Sequence, residues 1–224
     1  MTAALDELAI LPATNQAYHI LYQDEALLVV DKPTKLLTVP GRHPANRDCL
    51  ISRVQCEFPG AQVVHRLDYD TSGIVLLPLT KKALSALSKQ FQARTISKRY
   101  TARVAGQLSA AAGEINLPIA ADAERRPLYK ICQLAGKPSL TRYRVLDYRA
   151  GDDSTLVELE PVTGRSHQLR LHLAAIGHPI LGDTLYAPND IAGAAPRLLL
   201  HATRIEFVHP LTGKLLQLQA PVSF

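Results

Sequence analysis

Residues 64–73 read VHRLDYDTSG, and the apolar run IVLLPL follows at positions 74–79. One carboxylate, Asp68, stands two positions after Arg66 and two before Asp70, at the mouth of what reads as a buried strand. A plain surface turn would use the same residue types, because Asp, Thr, Ser and Gly all favour turns. The segment AQVVHRLD predicts a strand running into a loop, with GIVLLPL as the next, buried strand. In a strand Arg66 and Asp68 would point the same way, as would Asp68 and Asp70.

On the N-terminal side, HILYQDEALLVVDKP has two β-rich runs around Asp24-Glu25, which predicts a hairpin stopped by Pro33. The stretch LLTVPGRHPANRD is turn-rich and carries Arg42, His43 and Arg47 on a loop. Residues 1–16 read as a loose arm. On the C-terminal side, Thr80 is placed to cap a helix on which Leu84, Leu87 and Phe91 share a face. KRYTARVAG alternates as a strand, with Lys98, Tyr100, Ala102 and Val104 on one face and Arg99, Thr101 and Arg103 on the other.

Residues 106–138 read as loops with short strands. SLTRYRVLDY and STLVELEPV pair across a turn at Gly151-Asp152-Asp153. SHQLRLHLAAIG is helical with Gly177 placed to end it, and IEFVHPLTGKLLQLQA is a last hairpin turning near Thr212-Gly213. Strands outnumber helices and short turns join most of them. That predicts an α+β fold on a mostly antiparallel mixed sheet flanked by helices.

Composition narrows the chemistry. The 224 residues suffice for a substantial core. No apolar run approaches the roughly 20 residues that span a bilayer, and MTAALDELAI lacks the basic region of a signal peptide. Three cysteines, Cys49, Cys56 and Cys132, fit neither a disulfide framework nor a zinc site, which points to the cytoplasm. Nucleotide-binding glycine loops, GxSxG and HExxH are absent. His167 and His172 would stand about 140° apart on a helix, too divergent to share a metal. No metal or other cofactor is expected. The net charge of +5 is concentrated in Arg94, Lys98, Arg99 and Arg103 and again in Arg125, Arg126, Lys130, Lys137, Arg142 and Arg144. Solvated faces would explain such runs, and so would a surface that tracks phosphates.

VHRLDYDTSG resembles the HRLDxxTSG signature of the RluA family of pseudouridine synthases. KRYTARV, TGRSHQLRLHLAAIGHPILGDTLY, RLLLHA and VDKPTKLLTVPGR are similar to that family's other motifs, in the same order, so the likeness runs from about residue 19 to the end. It implies the pseudouridine synthase catalytic fold with an active-site cleft across the sheet. Residues 17–224 would form that domain, with 1–16 too short for the S4 domain of longer members. The implied activity isomerises a uridine in a stem-loop of large-subunit 23S ribosomal RNA and also in a transfer-RNA anticodon arm. A different transfer-RNA site only, or an inactive RNA-binding module of the same fold, are the alternatives. A small hydrolase using Asp68 lacks a second catalytic group.

The resemblance implies three catalytic residues. Asp68 is the carboxylate that attacks the sugar or removes a sugar proton, Arg165 pairs with it, and Tyr100 stacks on the uracil with its hydroxyl near carbon 5. Arg66 would fill the gap left by the flipped base, although an ion pair with Asp70 is the alternative. Leu200 would pack on the base, or serve as plain core. Arg42, His65, Thr71 and His167 complete the expected RNA contacts, and His172 is read as orienting or RNA-contacting. Structured RNA is the expected partner of a monomer, with no protein partner and no membrane. Two departures from the family pattern are Lys35, where glycine is expected, and residues 121–131, ADAERRPLYKI.

Overall fold

A computed structural model describes residues 9–224 of the chain. Two units emerge, one of Met1–Ile96 with Arg204–Pro221 and the other of Ser97–Thr203 with Val222–Phe224. The α+β class read from the sequence holds in each.

The first unit holds strands β1 (His19–Gln23), β2 (Leu27–Lys32), β3 (Ser72–Pro78), residues 204–208 of β10 (Leu200–Val208) and β11 (Leu215–Gln219), with helices α1 (Leu50–Glu57) and α2 (Lys81–Ala93). Its strand order is β1-β2-β3-β10 with β11 on β10. The predicted hairpins form, β1 against β2 and β10 against β11, both antiparallel. Asp24 shapes the first turn by accepting from the Ala26 and Leu27 amides at 2.8 and 2.9 Å. The buried His209 accepts the Thr212 amide on Nδ1 at 3.1 Å, so its proton sits on Nε2 and is donated to Asp24 at 2.8 Å. One carboxylate thereby ties the turns of both hairpins.

β2 and β3 are buried along nearly their whole length, which is why both read as unbroken apolar runs. Leu27, Val29, Ile74, Leu76 and Phe207 pack with Ala83 and Leu87 of α2. Thr80 caps α2 as expected, its hydroxyl accepting from the Ala83 amide at 3.2 Å. The part of the expected loose arm that is described is tied down: Leu11 donates its amide to Asn46, Thr14 to the Lys35 carbonyl, and Arg53 holds the Thr14 carbonyl at 2.6 Å. Residues 1–8 of that arm lie outside the described residues.

One prediction fails here. AQVVHRLD is not a strand. Its backbone groups are satisfied by a loop: the Leu67 amide donates to the Thr38 hydroxyl at 3.1 Å, and that hydroxyl donates back to the Leu67 carbonyl at 2.9 Å. A side chain has taken the place of a ladder partner, so the i+2 alignment of Arg66, Asp68 and Asp70 has no strand beneath it.

The second unit holds β4 (Ser97–Ala105), β5 (Ala112–Asn116), β6 (Ile119–Ala121), β7 (Tyr129–Ile131), β8 (Leu140–Arg149), β9 (Ser154–Pro161), residues 200–203 of β10, α3 (Gln168–Ala175) and α4 (Asn189–Gly193). The order is β10-β4-β9-β8-β5, with β6 and β7 as a separate antiparallel hairpin. Ala102, Val104, Val157 and Leu159 build the core with Leu169 and Leu173 of α3 and with Ile180 and Leu200. Gly177, at φ +84, follows the last turn of α3, as its position predicts. Gly182 is compulsory, since at φ +76 a Cβ there would lie 1.9 Å from the Arg197 carbonyl oxygen.

Candidate active site

In the first unit Asp68 sits on the 61–71 loop that leads into β3, half-buried. Thr34 and Thr38 hold this loop by their hydroxyls, on the Asp70 and Leu67 carbonyls, and Lys32 joins it to the 33–36 turn. Its side chain has no exposure, and its ammonium donates to the carbonyls of Leu36 at 2.7 Å, Pro33 at 2.9 Å and Tyr69 at 3.5 Å. Burial pulls its pKa down to about 7, against the opposing pull of the Asp68, Asp70 and Asp31 carboxylates. A buried amine therefore lies within electrostatic reach of Asp68 and ties the 33–36 turn to Tyr69, the residue after it. The adjacent Lys35 adopts φ +54, the left-handed region that favours glycine. The family pattern's glycine is thus a backbone requirement, which lysine meets here at some strain.

The other expected residues of this unit divide by exposure. Arg66 and Arg42 are exposed, with cationic ends free to meet an anion from solvent. His65 stacks on Phe91 with ring centroids 4.8 Å apart and accepts the Leu76 amide on Nε2 at 2.9 Å. One face and one nitrogen of that ring serve the fold. Thr71 has 3 % exposure, and Ser72 and Gly73 begin β3 beside it.

In the second unit Tyr100 is half-buried on β4 and packs against the core that includes Leu200. Leu200 has 3 % exposure. Arg165 lies on the turn ahead of α3, where the Gln168 side chain accepts its amide at 3.0 Å and the Thr163 hydroxyl at 2.7 Å. Its Nε is buried without a hydrogen-bond partner among the described residues. His167 holds φ +55 at the start of the helix. Its Nδ1 meets the Tyr186 hydroxyl at 2.6 Å, and that same oxygen accepts the Tyr129 amide at 3.0 Å. Tyr186 thus joins the Arg165 turn to the β6–β7 hairpin, which carries the divergent 121–131 segment. Beneath it Arg170 and Asp183 form a bidentate pair at 2.6 and 2.8 Å with 2 % and 1 % side-chain exposure, and the Arg170 guanidinium lies 5.4 Å from the Tyr186 ring centre.

Of the two readings of His172, orienting or RNA-contacting, burial leaves the first: it has no exposure, its Nδ1 pairs with the Thr141 hydroxyl at 2.9 Å and its Nε2 with the Leu117 carbonyl at 3.0 Å. The basic clusters are partly paired within the fold. Arg99 pairs with Glu160, Arg142 with Glu114 and Arg144 with Glu158, at 2.7, 2.8 and 3.1 Å. Arg125 and Lys130 flank Asp122, and the buried Arg103 donates to Ser154. Carboxylates thus pair with half of the ten basic residues in the two clusters. Lys32, within VDKPTKLLTVPGR, and Asp183 and Tyr186, at the end of the longest matched motif, carry no local sequence signal of these roles.

Residues 26–175 match the model of the RNA pseudouridylate synthase family. The chain belongs to that family. It is 47 % identical to the dual-specificity RNA pseudouridine synthase RluA of Escherichia coli (strain K12) over 92 % of this chain and 93 % of that one. The RluA of Pasteurella multocida (strain Pm70) is 46 % identical over 95 % and 97 %. Among solved structures, human RNA pseudouridylate synthase domain containing 1 superposes with a TM-score of 0.78 at 30 % identity, covering 94 % of this chain and 85 % of that one. Human RNA pseudouridylate synthase domain containing 4 does so at 0.73, with 25 % identity over 91 % and 88 %. As a pseudouridylate synthase the chain is an isomerase acting on RNA. No helix among the described residues is long and apolar enough to cross a membrane.

Proposed function

We propose that this protein converts uridine to pseudouridine at defined sites in both large-subunit ribosomal RNA and a transfer-RNA anticodon arm. What carries the reading is the 47 % identity, end to end, to proteins named for dual specificity, with the Asp68, Tyr100 and Arg165 motifs in the family's order. The enzyme works as a monomer in the cytoplasm, with RNA as its partner.

The reaction frees uracil from its ribose, turns it and rejoins it through carbon, so the target base leaves its stack first. Asp68 is the carboxylate that acts on the sugar, presented from the half-buried loop ahead of β3. Tyr100 offers a ring to the freed base and a hydroxyl for the last proton transfer. Arg165 supplies the guanidinium that orients Asp68, and exposed Arg66 and Arg42 meet the RNA. His65, Thr71, His167 and Leu200 complete the substrate contacts. Asp68→Asn, purified and incubated with transfer-RNA and ribosomal-RNA transcripts, should bind RNA yet form no pseudouridine by carbodiimide mapping. Product from that variant would defeat the assignment of Asp68, and mapping of cells lacking the protein identifies the uridines.

A further inference from the structure

Along β4 and β8, Arg99, Arg142 and Arg144 are each paired with a glutamate. Lys98 has no such pair. Half-buried on β4, it has neither a hydrogen bond nor an ion pair among the described residues. Burial lowers its pKa, and no nearby carboxylate opposes that shift. Its ammonium lies 3.7 Å from where a Cβ on Gly164 would stand, so it faces the turn that bears Arg165. In the next residue along, the Nε of Arg165 is buried and lacks a partner among the described residues. Two cationic groups so placed, one a compact ammonium and the other an N–H edge, leave a desolvation cost that an anion would offset.

We propose that Lys98 and the Nε edge of Arg165 form a subsite for one RNA backbone phosphate, one of the two that bracket the target uridine. The subsite rests on the RNA-modifying function above. Its location follows from β4: Lys98 and Tyr100 are two residues apart on one face, about 6.6 Å along the strand. That is close to one nucleotide step, so a base stacked on Tyr100 brings its own phosphates to Lys98. The exposed Gly164, lacking a side chain, leaves the approach to the ammonium open.

The test uses the full-length protein and an RNA stem-loop that wild type modifies. Lys98→Gln should weaken binding about tenfold and lower the slope of log K against log salt by about one counterion. The rise in KM should exceed any fall in kcat, and Lys98→Arg should recover most of the loss. Stem-loops carrying a single uncharged methylphosphonate on either side of the uridine locate the contact. At one position wild type should lose the same tenfold, and Lys98→Gln should lose nothing further. Unchanged affinity and salt slope in Lys98→Gln, or additive losses at both positions, would overturn the subsite. Wild type that binds RNA but forms no pseudouridine would overturn the functional reading instead, while the binding arms still report on Lys98.

Discussion

The loop bearing Asp68 and the turn bearing Arg165 are held in opposite ways. The first is held through main-chain carbonyls, with Lys32 at the hub reaching Pro33, Leu36 and Tyr69, and with the Thr34 and Thr38 hydroxyls on Asp70 and Leu67. The second is braced by a chain of side chains, from Gln168 through His167 and Tyr186 to the Arg170–Asp183 pair. A hub with main-chain spokes makes position and stability inseparable. A relay of side chains separates them, because its outer members can be changed while the buried pair still holds the helix.

The largest effect should come from the base of the relay. Arg170→Met leaves Asp183 charged and buried, and should cost about 4 kcal/mol in urea unfolding, as removal of one partner from a buried pair does. A loss under about 1 kcal/mol would mean that the pair does not brace the second unit. Lys32→Met comes next. It strands the Leu36 and Pro33 carbonyls, at a cost of about 3 kcal/mol, and activity should fall with stability at least tenfold. Normal turnover in a destabilised Lys32→Met protein would break the contrast between hub and relay.

Tyr186→Phe keeps the ring over Arg170 but removes the oxygen shared by His167 and the Tyr129 amide. Stability should drop by only about 1 kcal/mol, while kcat falls severalfold with little change in KM. Equal effects on both constants would place Tyr186 in RNA binding instead. A comparable effect concerns pH. Burial holds the His201 pKa at about 4 and lowers that of His172, so between about pH 6.5 and 4 the unfolded chain binds protons that the folded one refuses. Stability should fall by about 1–2 kcal/mol from pH 7 to pH 5, and His201→Asn should flatten that decline.

Much of this was legible because local rules and tertiary structure agree. Alternation in KRYTARV, the Thr80 cap and the turn at residues 151–153 each needed only near neighbours. AQVVHRLD misled because two valines read as strand, whereas its backbone partner is the Thr38 hydroxyl in another loop. Arg144 looked free because Glu158 stands fourteen residues away in sequence and opposite it across a strand pair. For His172 the orienting and RNA-contacting readings stood open in the sequence because its partners, Thr141 and Leu117, are far off along the chain and no helical periodicity announces them. The Lys35 departure went the other way: the expected glycine pointed to a backbone angle that the chain adopts without it.

The first unit is assembled from both ends of the chain, and residues 97–203 intervene. Its core needs Ile205, Phe207 and Ala220, which leave the ribosome after residue 203. During synthesis β2 and β3 must therefore wait with apolar surface uncovered while the whole second unit is made, so nascent chains arrested before residue 204 should recruit chaperones and resist protease poorly, and released full-length chains should not.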